Sequence, residues 1–135
     1  MPYELYLKET LNIGTEILFQ SASKQNPFAV IFEDDGETGY FYASIVEDNG
    51  STTILDAVHI YTVKDVVDSD KPSELKLGWS LNGQQAILLI NDQPHAVFDF
   101  ENQQGYCKTA FPPVMGNGWC KNDHMWDEAA LNCFR

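Results

Sequence analysis

Basic residues are scarce: eight Lys and Arg stand against twenty Asp and Glu, giving a formal net charge of -12. A chain so short of cations cannot neutralise a row of phosphates, which excludes nucleic acid and an anionic membrane surface as electrostatic partners. A basic protein is the complementary match. Long apolar runs are missing as well. The longest aliphatic stretch, Ala86-Ile87-Leu88-Leu89-Ile90, falls far below the roughly 20 residues that cross a bilayer. Glu4, Lys8, Glu9 and Glu16 interrupt any apolar export signal near the start. A soluble, cytoplasmic protein is expected. Cysteine is limited to Cys107, Cys120 and Cys133, an odd set without C-x-x-C spacing. A complete disulfide framework is therefore impossible and a reducing compartment is the simpler reading, with one bridge and one free thiol as the alternative. The Asn49-Gly50-Ser51 sequon is idle in that setting. Also absent are G-x-x-x-x-G-K-[ST], G-x-G-x-x-G, H-E-x-x-H and G-x-S-x-G, which removes the usual support for nucleotide binding and hydrolysis.

What remains is enough to fold. At 135 residues and 44% hydrophobic content, the chain fits a single domain spanning residues 1–135. From Pro27 to Glu101 short β-branched and aromatic segments alternate with Gly, Asn and Asp clusters, the pattern of an antiparallel meander. Phe28–Phe32 and Tyr40–Val46 flank Asp34-Asp35-Gly36-Glu37-Thr38-Gly39 as a hairpin, with two glycines available for positive φ. Thr53–Val63 is apolar on both alternating sets, which predicts a central strand covered on both faces, with a buried helix as the alternative. Asp65–Ser73 reads as a polar loop or edge segment. Leu75, Leu77, Trp79 and Leu81 define one buried face; Asn82-Gly83 suits a two-residue turn, and Ala86–Ile90 returns as partner. Asn91–Pro94 makes the next tight connection, and His95–Glu101 the last strand, with Ala96, Phe98 and Phe100 on one face. Thr15–Ala22 is read as β, and the segment before it fits strand and helix equally.

Phe111-Pro112-Pro113 and Gly116-Asn117-Gly118 predict a long connection over residues 104–122. Beyond it, Trp126, Ala129, Ala130, Cys133 and Phe134 fall on one face of a helix capped by Asn122 or Asp123. The expected fold is therefore mainly β (α+β): a curled antiparallel meander sheet of about six to eight strands with a C-terminal helix packed on it.

Charge is unevenly placed. Between residues 33 and 74, eleven acidic side chains face only Lys64 and Lys71. Such a run serves as a solubilising surface, or as a steering surface for a basic protein partner. On the second reading Glu33, Asp34, Asp35, Glu37, Tyr40, Asp65, Asp68 and Asp70 form the partner-binding face. No cofactor and no metal are expected. The turn Glu33–Glu37 lacks calcium-loop spacing. A zinc site from Cys107, Cys120, His124 and Cys133 conflicts with intervals of thirteen residues between successive cysteines, only Cys120 and His124 lying close. The alternative, enzymatic reading places a Cys107 nucleophile beside His95 or His59 with Asp99 as orienter. Asp56 and Asp99 lie in apolar strands, where a carboxylate is costly unless paired, and are candidates for a buried polar network.

The strings Phe32-Glu33-Asp34-Asp35-Gly36-Glu37-Thr38-Gly39-Tyr40-Phe41-Tyr42-Ala43, Pro94–Phe100, Gly105-Tyr106-Cys107 and Phe111-Pro112-Pro113 resemble a family of small bacterial proteins grouped as a domain of unknown function. The resemblance spans nearly the whole chain and implies a bacterial origin. In size and charge the chain is loosely similar to acidic, β-rich immunity proteins that neutralise basic toxins, which implies a non-catalytic binding role.

Overall fold

Short apolar segments that alternate in and out can bury their inner faces only against a second layer. The computed structural model describes residues 3–114 and 118–135. Among these, ten strands form two sheets: β1 (Tyr3–Leu11), β2 (Ile17–Ala22), β3 (Phe28–Asp34), β4 (Thr38–Val46), β5 (Thr52–Thr62), β6 (Ser73–Ser80), β7 (Gln85–Ile90), β8 (Gln93–Asp99), β9 (Gln104–Cys107) and β10 (His124–Met125). The larger sheet has the order β1-β6-β7-β8-β9-β10, the smaller β2-β3-β4-β5. Pairing is antiparallel except between β9 and β10. The meander is thus present within each sheet, but the expected single curled sheet is two separate ones. The β1–β2 and β5–β6 connections carry the chain from one sheet to the other. In-out alternation specifies faces and is silent on which sheet owns a strand.

One core lies between the sheets. Val30, Phe32, Phe41 and Val58 from the small sheet meet Leu75, Leu77, Trp79, Leu88 and Phe98 from the large one. Phe41 stacks on Phe98 with centroids 5.2 Å apart, and Phe28 on Phe100 at 4.5 Å. Trp79 donates its indole N–H to Ser21 Oγ at 3.0 Å across the layers. The outer face of the large sheet is covered by the C-terminal segment, where Phe134, Leu131 and Ala130 pack on Ile87, Leu89 and Val97.

Five expectations are corrected in detail. β5 is an edge strand, not a central one. Register skips beside Gly39/Tyr40 and Ala43/Ser44 shift its parity, so that Leu55, Val58, Ile60 and Tyr61 all reach the core. The two-residue turn falls at Asn91-Asp92, with φ of 51° and 64°; at Asn82-Gly83 only Gly83 has positive φ, the loop is longer, and Leu81 is exposed. Gly39 is not a turn glycine. The C-terminal helix is 3-10, Glu128–Phe134, capped by Asp127 and not by Asn122 or Asp123. Three residues per turn put Leu131 and Phe134 in register and rotate Cys133 outward, where it is exposed. Finally, Gln104–Cys107 is a strand inside the expected 104–122 connection, while Gly116 and Asn117 lie outside the described residues. No helix among the described residues is long and apolar enough to cross a membrane.

Candidate functional site

Strand directions decide where the acidic loops go. The β3–β4 turn and the end of β5 are neighbours, since Thr38 pairs with Thr62 and Val63 N–H donates to Glu37 O at 2.8 Å. The β1–β2 turn joins them, because Gly14 N–H donates to Asp34 Oδ2 at 2.7 Å. The β7–β8 turn closes the group through Asn91 N–H to Glu74 O, 2.8 Å. One end of the sandwich therefore carries Asp35, Glu37, Asp65, Asp68 and Asp70, all exposed. Lys71 lies 3.8 Å from Asp68, and Lys76 contacts Glu74 and Asp92; Asp35, Glu37, Asp65 and Asp70 have no cation within 4 Å among the described residues. Lys64 sits exposed among them. The amides of Thr38 and Glu37 hold the Asp35 carboxyl below its ordinary range. Glu47 and Asp48 occupy the β4–β5 turn, at the opposite end.

The remaining residues of the expected face separate from this group. Asp34 is 1% exposed and turned inward, accepting from Gly14 N, Gly36 N and Tyr61 Oη. Burial and the Asp34 bond push the Tyr61 phenol up. Glu33 and Tyr40 pair across β3 and β4 on the outer face of the small sheet. There Tyr42 donates to Glu33 Oε1 at 2.8 Å, its pKa pushed up to about 12 by burial first and by Glu33 second.

The enzymatic trio is not assembled. Cys107 pairs with Ala96 and points into the inter-sheet core, fully buried, its thiol 3.6 Å from Phe111 O. Asp99 shares the parity of Val97 on β8 and alternates away from Ala96 and Phe98, hence away from the Cys107 face. His95 falls at a register skip and lines a cleft with Ile13, Tyr61 and Ile90. The Cys107 thiol meets Thr109 and the Phe111 carbonyl instead. Asp99 is committed to its turn, accepting from Glu101 N, Asn102 N and Gln85 Nε2. Burial, with Lys108 nearby, pulls the His95 pKa down. His59 bridges Thr62 and Thr109.

A different constellation does assemble, at the open side between the sheets. Asp56 faces inward from β5, opposite Gly105 on β9 and His124 on β10. His124 Nε2 donates to Asp56 Oδ2 at 2.7 Å, and Nδ1 donates to Pro112 O at 2.7 Å. With both ring nitrogens donating, the ring is an imidazolium. Burial pulls its pKa down, but the bonds to Asp56, Cys120 and Pro112 outweigh this and push it up to about 10. His124 holds φ of 64°, a left-handed conformation that few non-glycine residues adopt. Cys120 lies alongside, its thiol donating to Asn122 Oδ1 at 2.7 Å. The Asn122 amide in turn clasps Gly105, accepting from its N–H and donating to its C=O. The ligand atoms of Asp56, Cys120 and His124 lie within 4.8 Å of one another. Sequence reasoning holds each piece separately: an inward carboxylate at Asp56, and Cys120 near His124. Nothing local joins partners 68 positions apart.

A family model described as "Uncharacterized protein conserved in bacteria (DUF2251)" matches residues 11–135, and the chain belongs to that family. An uncharacterized protein of Haemophilus influenzae is 38% identical over 121 residues, covering 89% of this chain and 71% of the relative. No solved structure matches the chain.

Proposed function

We propose that this member of the bacterial DUF2251 family acts by docking instead of catalysis, receiving a basic protein surface on its acidic end. The supporting observation is the convergence of turns from both sheets, which places Asp35, Glu37, Asp65 and Asp70 together without cationic partners among the described residues. Carboxylates displayed on rigid turns add their fields, which steers a cationic partner toward the site over a distance limited by salt, about 8 Å at physiological ionic strength. An immunity-type role, sequestering a basic toxin, is the most concrete form of this reading. The test compares the protein with a variant carrying Asp35→Asn, Glu37→Gln, Asp65→Asn and Asp70→Asn. Both are immobilised and presented with a cationic protein retained from a producing bacterium at low salt. The association rate should fall at least about tenfold in the variant with dissociation little changed. Binding that ignores both the substitutions and added salt would refute the proposal.

A further inference from the structure

We propose that Asp56, Cys120 and His124 form a binding site for a divalent transition-metal ion, zinc by preference, independently of the acidic end. The donor set is the first support. One imidazole nitrogen, one sulfur and one carboxylate oxygen, each within 4.8 Å of the others, match the ligand types of zinc. Charge is the second: with the thiol deprotonated, one thiolate and one carboxylate balance a dication, so that the buried site is neutral when filled.

The outer contacts fit as well. His124 Nδ1 is tied to the Pro112 carbonyl at 2.7 Å, which fixes the ring and aims Nε2 at Asp56, the arrangement that orients metal-bound histidines. Gly105 keeps the floor clear, because a Cβ there would stand 2.8 Å from Asp56 Oδ2 and 3.2 Å from His124 Cδ2. A cleft of about 590 Å³ lined by Cys120, Asn122 and Asp123 opens on the sulfur side, the side from which a water would approach as fourth ligand. The Asp56 to His124 contact of 2.7 Å would have to widen to about 3.4 Å, the edge of a tetrahedron with zinc-to-ligand bonds near 2.1 Å. The ion displaces the proton held between Oδ2 and Nε2 and the thiol proton of Cys120, both released to solvent. Cys107, in the core, and Cys133, exposed, take no part.

Cobalt(II) titrated into the full chain, first stripped with a chelator, reports on the sulfur directly. The expected result is a saturable, one-to-one thiolate-to-cobalt charge-transfer band that one equivalent of zinc abolishes. Cys120→Ser should remove the band and weaken zinc binding by more than about 100-fold, beyond what loss of an outer partner costs. It leaves the Asp56 to His124 pair in place, and Cys133→Ser should change nothing. A wild-type protein without a saturable band, a band that survives Cys120→Ser, or one lost in Cys133→Ser would each overturn the assignment.

Discussion

At the residue scale the molecule depends on two inward carboxylates, Asp34 with three donors and Asp56 with one, the His124 ring. Asp34 joins the β1–β2 turn, the β3–β4 turn and β5 through three hydrogen bonds. Asp34→Ala would leave those donors facing a void. We expect a loss of about 3 kcal/mol, since a hydrogen bond to a charged group contributes roughly 1.5–3 kcal/mol and part of the gap will be filled by water; urea unfolding measures it. Asp56 and His124 form the other centre, with the His124 side chain 2% exposed. Removing either partner strands the other as a buried charge, for which a cost of about 3 kcal/mol or more is usual. The same pair sets a pH dependence. The His124 pKa is raised to about 10 in the folded state against about 6.5 in an unfolded chain. The folded state therefore retains a proton that the unfolded state releases, and the contribution is complete below about pH 6.5 and declines as pH rises toward 10. Melting temperatures of the metal-free protein should fall across that interval. His124→Gln should flatten the slope, and an equal slope in both proteins would remove His124 as its source.

At the scale of elements, β4 and β5 show how a glycine can be required by a neighbour's ring. Gly39 lies directly beneath Tyr61, whose ring carbons would stand 2.6–2.9 Å from a Cβ at this position. Gly39→Ala must displace the ring and with it the 2.6 Å bond from Tyr61 to Asp34. A destabilisation of about 1–3 kcal/mol is expected, the usual range for overpacking. In a Tyr61→Ala background the same change should cost much less, and equal costs in both backgrounds would show that the ring is not the obstacle. The hairpin of β3 and β4 and the pairing of β6 with β7 were legible in advance, because alternation and local turn residues suffice for them. The parity of β5 was not. Its two register skips are set by pairing with β4, and the resulting apolar pattern imitates a strand covered on both faces. Likewise 3-10 and α geometry share the apolar positions Ala130 and Phe134, and only packing on Ile87, Leu89 and Val97 separates them.

For the whole molecule, a net charge of -12 with carboxylates gathered at one end opposes compaction through self-repulsion, which dissolved salt screens. Melting temperature should therefore rise by a few degrees between low and high sodium chloride, roughly the effect of 1 kcal/mol at this chain length. The four-fold neutral variant should show a smaller rise; an equal or larger one would mean that the repulsion originates elsewhere. The β class, the β3–β4 hairpin, the pairing of β6 with β7 and the excess of negative charge could be read from the residues alone, because each follows from composition or from neighbours a few positions apart. That two sheets share the strands, that the acidic turns meet at one end while Asp34 turns inward, and that Asp56 finds His124 and Cys120 is settled by the folded chain. Those outcomes depend on contacts between segments tens of residues apart, and the free energy that selects them comes from packing one layer on another, which a one-dimensional pattern does not encode locally.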